Sequence, residues 1–230
     1  MKCVLLNKKA IFFEPGSVTL IGLPLRRTLV RQILYSTSNK TIEQKIYLTM
    51  RNSNYFMKYL LEGQETKRLL FRKLEQGDFY TWLEFFKNPS SNEHWISETT
   101  DPEIQCREWF EKTFNRYSND TGGMNVLIDR RSGAFIGQCG LLLQTVDKKE
   151  ELEIGYSILP AFWKQGYATE AAIKCKYYAF ANNLRESLIS IIHEKNIGSQ
   201  KVATNNGMVA DKRTIYYNNP VIIYRVNKTW

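Results

Sequence analysis

The chain has 230 residues, 43% of them apolar, which is enough to bury one sizeable core but not a second enzyme. No apolar run approaches the length of a membrane span, and the first residues lack a signal-peptide cleavage pattern. We therefore expect a cytoplasmic protein with no membrane partner. Four cysteines without metal-ligand spacing and only two histidines predict reduced thiols and no metal site.

The positive charge is concentrated at the start of the chain. The net charge is +9, and residues 1–57 hold nine Lys and Arg against two Asp and Glu, leaving +2 for residues 58–230. Apolar residues in this first segment show no sustained period of 2 or 3.6, and no aromatic-basic motif marks it as a nucleic-acid reader. We expect no nucleic-acid partner.

From residue 68 onward the sequence patterns are regular. Asp101-Pro102 predicts a helix start with an Asp cap and Pro in the first turn, and Asp78 is a plausible cap for the helix before it. Lys148–Glu151 reads as a solvated turn, and Asn218-Asn219 as the turn of a closing hairpin. Strands are predicted at 69–74, 124–129, 134–145, 152–159, 188–193, 213–217 and 220–226, and helices at 75–87, 101–117, 168–183 and from 196.

The most informative segment is a strand, a proline-bounded loop and a helix start across residues 152–169. Gly166 lets the backbone approach a ligand closely, and the first-turn amides of the helix lack internal partners, so the loop predicts an anion site. A P-loop is excluded because no Lys-Ser/Thr pair follows the glycine, and the three spaced glycines of a dinucleotide fingerprint are missing.

The segment resembles motif A of the GCN5-related N-acetyltransferases, which holds the pyrophosphate of acetyl-CoA. Trp163 stands where the motif usually has a basic or amide residue, as in the ribosomal-protein N-acetyltransferase branch of that family. A second resemblance lies at residues 196–208, where Asn196, Ser199 and Gly207-Met208 match motif B at the same spacing. The resemblance implies that phosphates bind at Lys164, Gln165, Gly166, Tyr167, Ala168 and Thr169.

The resemblance also implies the fold: an α/β protein with a mixed, mainly antiparallel, splayed sheet flanked by helices, preceded by an N-terminal extension. In the family a bulge in the motif A strand parts it from the next strand, and the pantetheine arm of acetyl-CoA enters the gap. The main chain of Tyr156, Ser157 and Ile158 would bind that arm, together with the Asn196 side chain, which is also expected to cap the last helix.

Domain boundaries follow from the same resemblance. Residues 58–230 are expected to form the acetyltransferase domain, and residues 1–57 a basic extension. Chains of the branch usually begin shortly before a stretch like residues 65–72, so Met50 or Met57 would be a natural start. The extension is open to three interpretations: an arm that touches nucleic acid or the ribosome, a small appendage, or upstream sequence that the native protein lacks.

Acetyl transfer needs a base for the amine, an oxyanion donor and a proton for the thiolate. Glu153 is the only acid inside the motif A strand and is our candidate base; the alternative is a strand-edge carboxylate that faces solvent. A main-chain amide at or next to Tyr156 would bind the oxyanion. The Tyr that many family members use as acid is replaced by Ala203, so Ser199 is the candidate, unless it only bonds its own helix.

The loop between the first two helices forms one wall of the acceptor site in the family. His94, Trp95 and Glu98 are therefore the substrate-side candidates. Trp82 and Trp109 lie on apolar helical faces and are expected to pack in the core. His193 has a suitable intrinsic pKa for proton transfer but equally fits a half-buried position at a strand end.

Together these features predict an acetyl-CoA-dependent N-acetyltransferase that acts by direct attack of a primary amine in a ternary complex. The acceptor stays open between a protein N-terminus and a small-molecule amine, and the protein between a monomer and a homodimer. The main alternative is a catalytically weak CoA-binding regulatory or interaction module of the same fold. A nucleic-acid-binding protein built on the basic arm is the other rival.

Overall fold

The computed structural model describes residues 2–6, 9–14, 17–20, 58–95 and 97–229. The chain divides into two compact units, residues 1–55 and 56–230. In the first unit, β1 (Lys2–Leu6), β2 (Lys9–Glu14) and β3 (Ser17–Leu20) pair antiparallel in that order. The apolar residues showed no strand period here, so these strands were not predicted. Whether the native protein contains residues 1–57 stays a prediction.

The second unit is built on a seven-stranded sheet. Its strand order is β4-β5-β6-β7-β8-β10-β9, and every neighbouring pair is antiparallel except β7 and β8. The predicted mixed, mainly antiparallel sheet is therefore confirmed. The strands are β4 (Leu69–Lys73), β5 (Gly122–Asp129), β6 (Phe135–Val146), β7 (Lys149–Ile158), β8 (Ser187–His193), β9 (Val209–Tyr216) and β10 (Asn219–Asn227).

Helices cover both faces of this sheet. On one face α4 packs on β6 and β7 and contacts α5, while on the other α1 packs against α3, which lies on β5. The bounds are α1 (Phe79–Lys87), α2 (Pro89–Asn92), α3 (Pro102–Asn119), α4 (Tyr167–Ala181) and α5 (Ile197–Asn205). Among the described residues, no helix combines the length and the apolar character needed to cross a bilayer.

The two faces have different cores. Under α4 the small residues Ala171, Ala172 and Cys175 let the helix lie close to Leu152 and Ile154 of β7. The opposite face holds an aromatic core, in which the predicted burial of Trp82 is complete and Trp109 is partly buried. Tyr59, Leu60 and Leu61 enter these two cores from residues ahead of the predicted first strand.

Local expectations were wrong in three places. Asp78 stands at the N-cap position of α1, but its side chain makes no capping bond; its carboxylate binds the Arg72 guanidinium at 2.7 and 2.8 Å instead. Glu151 lies in β7 rather than in a solvated turn, and is only 6% exposed because Arg225 of β10 binds it. The closing hairpin turns at Tyr217-Asn218, both left-handed, one residue earlier than predicted.

Candidate functional site

The central feature of the site is a gap between β7 and β8, the two parallel strands. β7 pairs with β6 over ten residue pairs, from Val146 with Lys149 to Gly137 with Ile158. With β8 it pairs only at Glu153 and Ile189. The sheet therefore opens beyond Glu153, toward the carboxyl ends of both strands.

Side chains replace the main-chain bonds that a continued ladder would make. A parallel ladder would carry the Ile154 carbonyl to the Ile191 amide, but the Ser190 hydroxyl donates to that carbonyl instead, at 2.8 Å. The Ile191 amide lies beside the Glu153 carboxylate and favours its ionised form. The Ile154 carbonyl therefore keeps a hydrogen-bond partner where the strands part.

The expected bulge in β7 is not present, since its pairing with β6 has no register shift. Main-chain groups alternate between the two neighbouring strands, and Ile154 turns toward β8, so Tyr156 and Ile158 turn toward the gap as well. The main chain of Ser157 turns toward β6. Of the three predicted pantetheine contacts, two therefore face the gap.

The loop that follows β7 is closed by its own side chains. The Trp163 indole donates to the Ile158 carbonyl at 2.6 Å, and the Gln165 amide donates to the Ala161 carbonyl at 3.0 Å. Lys164 and Gly166 are left-handed, with φ of 59° and 82°, so the chain turns sharply into α4. Tyr167, Ala168 and Thr169 form its first turn, which begins one residue before the predicted start, and their amides point out of the helix end.

Two residues that the sequence did not single out hold this loop. Arg68, at the start of β4, donates to the Gln165 carbonyl at 3.0 Å and pairs with Glu170 at 2.6 Å. No local sequence pattern links the two, because 102 residues separate them. The Gly166 loop also opens onto a groove of about 540 Å³ along the outer face of α4, lined by Thr169, Lys174 and Tyr177 among others.

Asn196 and Ser199 lie at the start of α5. Asn196 caps the helix, as predicted, by accepting a hydrogen bond from the Ser199 amide at 2.9 Å. The Tyr156 hydroxyl donates to the Ser199 carbonyl at 2.7 Å and joins the gap-side strand to this helix. Burial raises the pKa of Tyr156. Ala203 is fully buried in the core.

Glu153 lies on the other face of β7, toward α3. β7 is the fourth of seven strands, so Glu153 is not at a sheet edge, and its part-buried carboxylate accepts a bond from Gln144 at 2.7 Å. Gln144 is held in turn by Arg116 and by the Tyr216 hydroxyl. Burial raises the pKa of Glu153, and the bonds from Gln144 and the Ile191 amide offset this only in part.

Two of the predicted acceptor residues stack on other rings, and the third is exposed. The His94 and His193 rings stack with their centroids 4.9 Å apart. The main-chain carbonyl of His94 accepts a bond from the Asn219 side chain, so the loop after α2 reaches the end of β8. Trp95 stacks on Trp109 at 5.2 Å and stays 39% exposed. Glu98 is exposed on the same loop.

Comparison with known proteins identifies the class. Residues 68–209 match the model of the acetyltransferase (GNAT) domain family. The "Uncharacterized protein YkkB" of Bacillus subtilis is 31% identical over 161 residues, which cover 69% of this chain and 92% of that protein. The chain therefore belongs to the GNAT acetyltransferase family, and it carries the family's transferase domain.

Solved structures show the same fold. An acetyltransferase from Agrobacterium tumefaciens superposes with a TM-score of 0.62 at 22% identity, over 72% of this chain and 94% of that one. The ribosomal-protein-S5-alanine acetyltransferase from Vibrio fischeri superposes with a TM-score of 0.55 at 16% identity, over 71% and 95%. At such identities the likeness concerns the fold.

Proposed function

We propose that this protein is an acetyl-CoA-dependent N-acetyltransferase of the ribosomal-protein Nα-acetylating branch, which transfers the acetyl group to a primary amine by direct attack in a ternary complex. The observation that carries the proposal is the opening of the sheet beyond Glu153, with the Gly166 loop at the end of the same strand. Membership of the GNAT family supports acetyl transfer in general.

In this proposal the donor lies between β7 and β8, with the main chain of Tyr156 and Ile158 and the Asn196 side chain on its pantetheine arm. Its phosphates rest on the loop from Lys164 to Thr169. The loop fits such a group because a helix N-terminus, a left-handed glycine and outward amides come together there. When bound, the donor supplies an activated thioester.

Glu153 is proposed to accept the amine's proton, directly or through a water molecule. Its raised pKa brings the carboxyl closer to the working pH, where a general base is most effective. The Tyr156 amide faces the gap and donates to the oxyanion. The thiolate needs a proton donor, and the Ser199 hydroxyl is the candidate in place of the missing tyrosine.

The acceptor is proposed to enter beside the stacked pairs His94–His193 and Trp95–Trp109. The His94 and Trp95 rings come from the loop after α2, the Trp109 ring from α3, and the His193 ring from the end of β8. They therefore border the face of β7 that carries Glu153. A protein N-terminus and a small-molecule amine both fit this description. The catalytically weak CoA-binding module stays the second candidate, since the buried methyl group of Ala203 offers no proton.

A panel of N-terminal peptides and small amines with acetyl-CoA, followed by thiol release, tests the activity. With the best acceptor, Glu153→Gln should lower kcat by about 10²–10⁴-fold while acetyl-CoA still binds. Wild-type kcat should rise with pH as Glu153 loses its proton, and this rise should be absent in the variant. A protein that binds CoA but acetylates no acceptor would favour the binding module.

A further inference from the structure

Arg68 joins the start of β4 to the Gly166 loop, residues 164–169. Its guanidinium makes three contacts there: Nε with the Glu170 carboxylate at 2.6 Å, Nη1 with the Gln165 carbonyl at 3.0 Å, and its plane over the Tyr167 ring at 4.1 Å. A planar fork held on three sides has a fixed direction, which a lysine ammonium would not have.

Glu170 completes the arrangement from the first turn of α4. Besides the guanidinium, its carboxylate accepts bonds from the Thr66 hydroxyl at 2.6 Å and the Arg68 amide at 2.9 Å. Burial alone would raise the pKa of Glu170, but these bonds hold it below its usual value, so the carboxylate is ionised at neutral pH. A carboxylate in this turn is also favoured by the helix dipole.

The remaining guanidinium nitrogen lies next to the loop's glycine. Arg68 Nη2 is 3.5 Å from the position that a Cβ on Gly166 would occupy; apart from the glycine and its two chain neighbours, no other atom of the described residues lies within 4 Å of that position. A group that approaches the Gly166 backbone closely therefore meets this N–H edge. The Arg68 side chain is 37% exposed, so its charge is available to an anion in the loop.

We propose that Arg68 is a specificity-determining residue for the donor: it fixes the Gly166 loop through the Gln165 carbonyl and presents Nη2 to the pyrophosphate. This rests on the proposed function, because it presumes that the loop binds acetyl-CoA. Glu170 and Tyr167 act as positioning residues that hold the guanidinium in its direction.

The test is calorimetric titration of the full chain and of Arg68→Gln with CoA, dephospho-CoA and pantetheine. Losing one charge-assisted contact should raise Kd for both CoA and dephospho-CoA by about 10–100-fold, since both keep the pyrophosphate. Pantetheine, which has no phosphate, should bind both proteins equally. The Kd of the variant should also depend less on salt.

A matched control exists four residues further along the chain, in β4. Arg72 makes a comparable carboxylate pair, with Asp78, away from the loop. Arg72→Gln should lower the melting temperature as Arg68→Gln does, but leave CoA binding unchanged. If Arg68→Gln does not fold, Arg68→Lys is tested in its place. This variant keeps the positive charge but lacks the planar guanidinium, so its affinity for CoA should be lower than that of wild type.

The outcomes separate the two proposals. If wild type binds CoA and folded Arg68→Gln binds it equally well, the role of Arg68 is refuted while the proposed function stands. A loss that also appears with pantetheine, or equally in Arg72→Gln, would mean a general structural effect and refute it too. If wild type does not bind CoA at all, the proposed function fails and this inference fails with it.

Discussion

The N-terminal boundary of the domain can be tested with two shortened chains, one that begins at Met57 and one that begins at Glu62 after an initiating methionine. Tyr59, Leu60 and Leu61 are 6%, 2% and 0% exposed, all within the acetyltransferase unit. Burial of a large apolar side chain stabilises a fold by about 1.5–3 kcal/mol, so the second chain should lose roughly 5–9 kcal/mol. That is comparable with the whole stability of a domain.

A polar contact adds to this loss. The Leu61 amide donates to the Asn125 side chain at 3.1 Å, and Asn125 is fully buried, so its oxygen would be left without this donor. The chain from Met57 should therefore unfold in urea near the midpoint of the full chain and bind CoA. The chain from Glu62 should be largely unfolded, as judged by tryptophan fluorescence.

Two results would refute the reasoning. If the chain from Met57 fails to fold, the first 56 residues are part of the enzyme and the proposed boundary at residue 58 is wrong. If the chain from Glu62 keeps its midpoint, the buried side chains do not stabilise the unit as their burial implies. Mass spectrometry of the native protein would show independently which methionine begins it.

Two further predictions follow from the site and the sheet. Gly166→Asp should fold, because aspartate tolerates the left-handed conformation and no backbone atom crowds a Cβ there, but should lose most of its CoA affinity; undiminished calorimetric binding would remove the phosphate assignment. Arg225→Met should lower the free energy of unfolding by about 3 kcal/mol at neutral pH, because it leaves the Glu151 carboxylate buried without its main partner. Burial raises the pKa of Glu151, but the bonds from Arg225 and Lys149 hold it below its usual value. The stabilisation by the pair is therefore present above pH 4.5 and is lost as the pH falls through the lowered pKa. Urea unfolding should therefore show the variant and wild type converging in acid, and a constant difference would contradict the role of the pair.

Most of the architecture could be predicted from local patterns. The alternation in 69–74, the Asp101-Pro102 start and the asparagine cap at Asn196 each depend on residues a few positions apart, and each is confirmed. The Gly166 loop could be predicted for the same reason, since its turn and its helix start are consecutive in the chain.

The sequence by itself therefore determined the order of the seven strands and four longer helices of the second unit, the turn at Gly166 and the family. The tertiary structure alone decided which distant groups meet. Where β7 parts from β8 the Ser190 hydroxyl binds the Ile154 carbonyl, and the loop is held by Arg68, which lies about a hundred residues before it. No local sequence pattern predicts such contacts, because the groups that make them come together only when the chain folds.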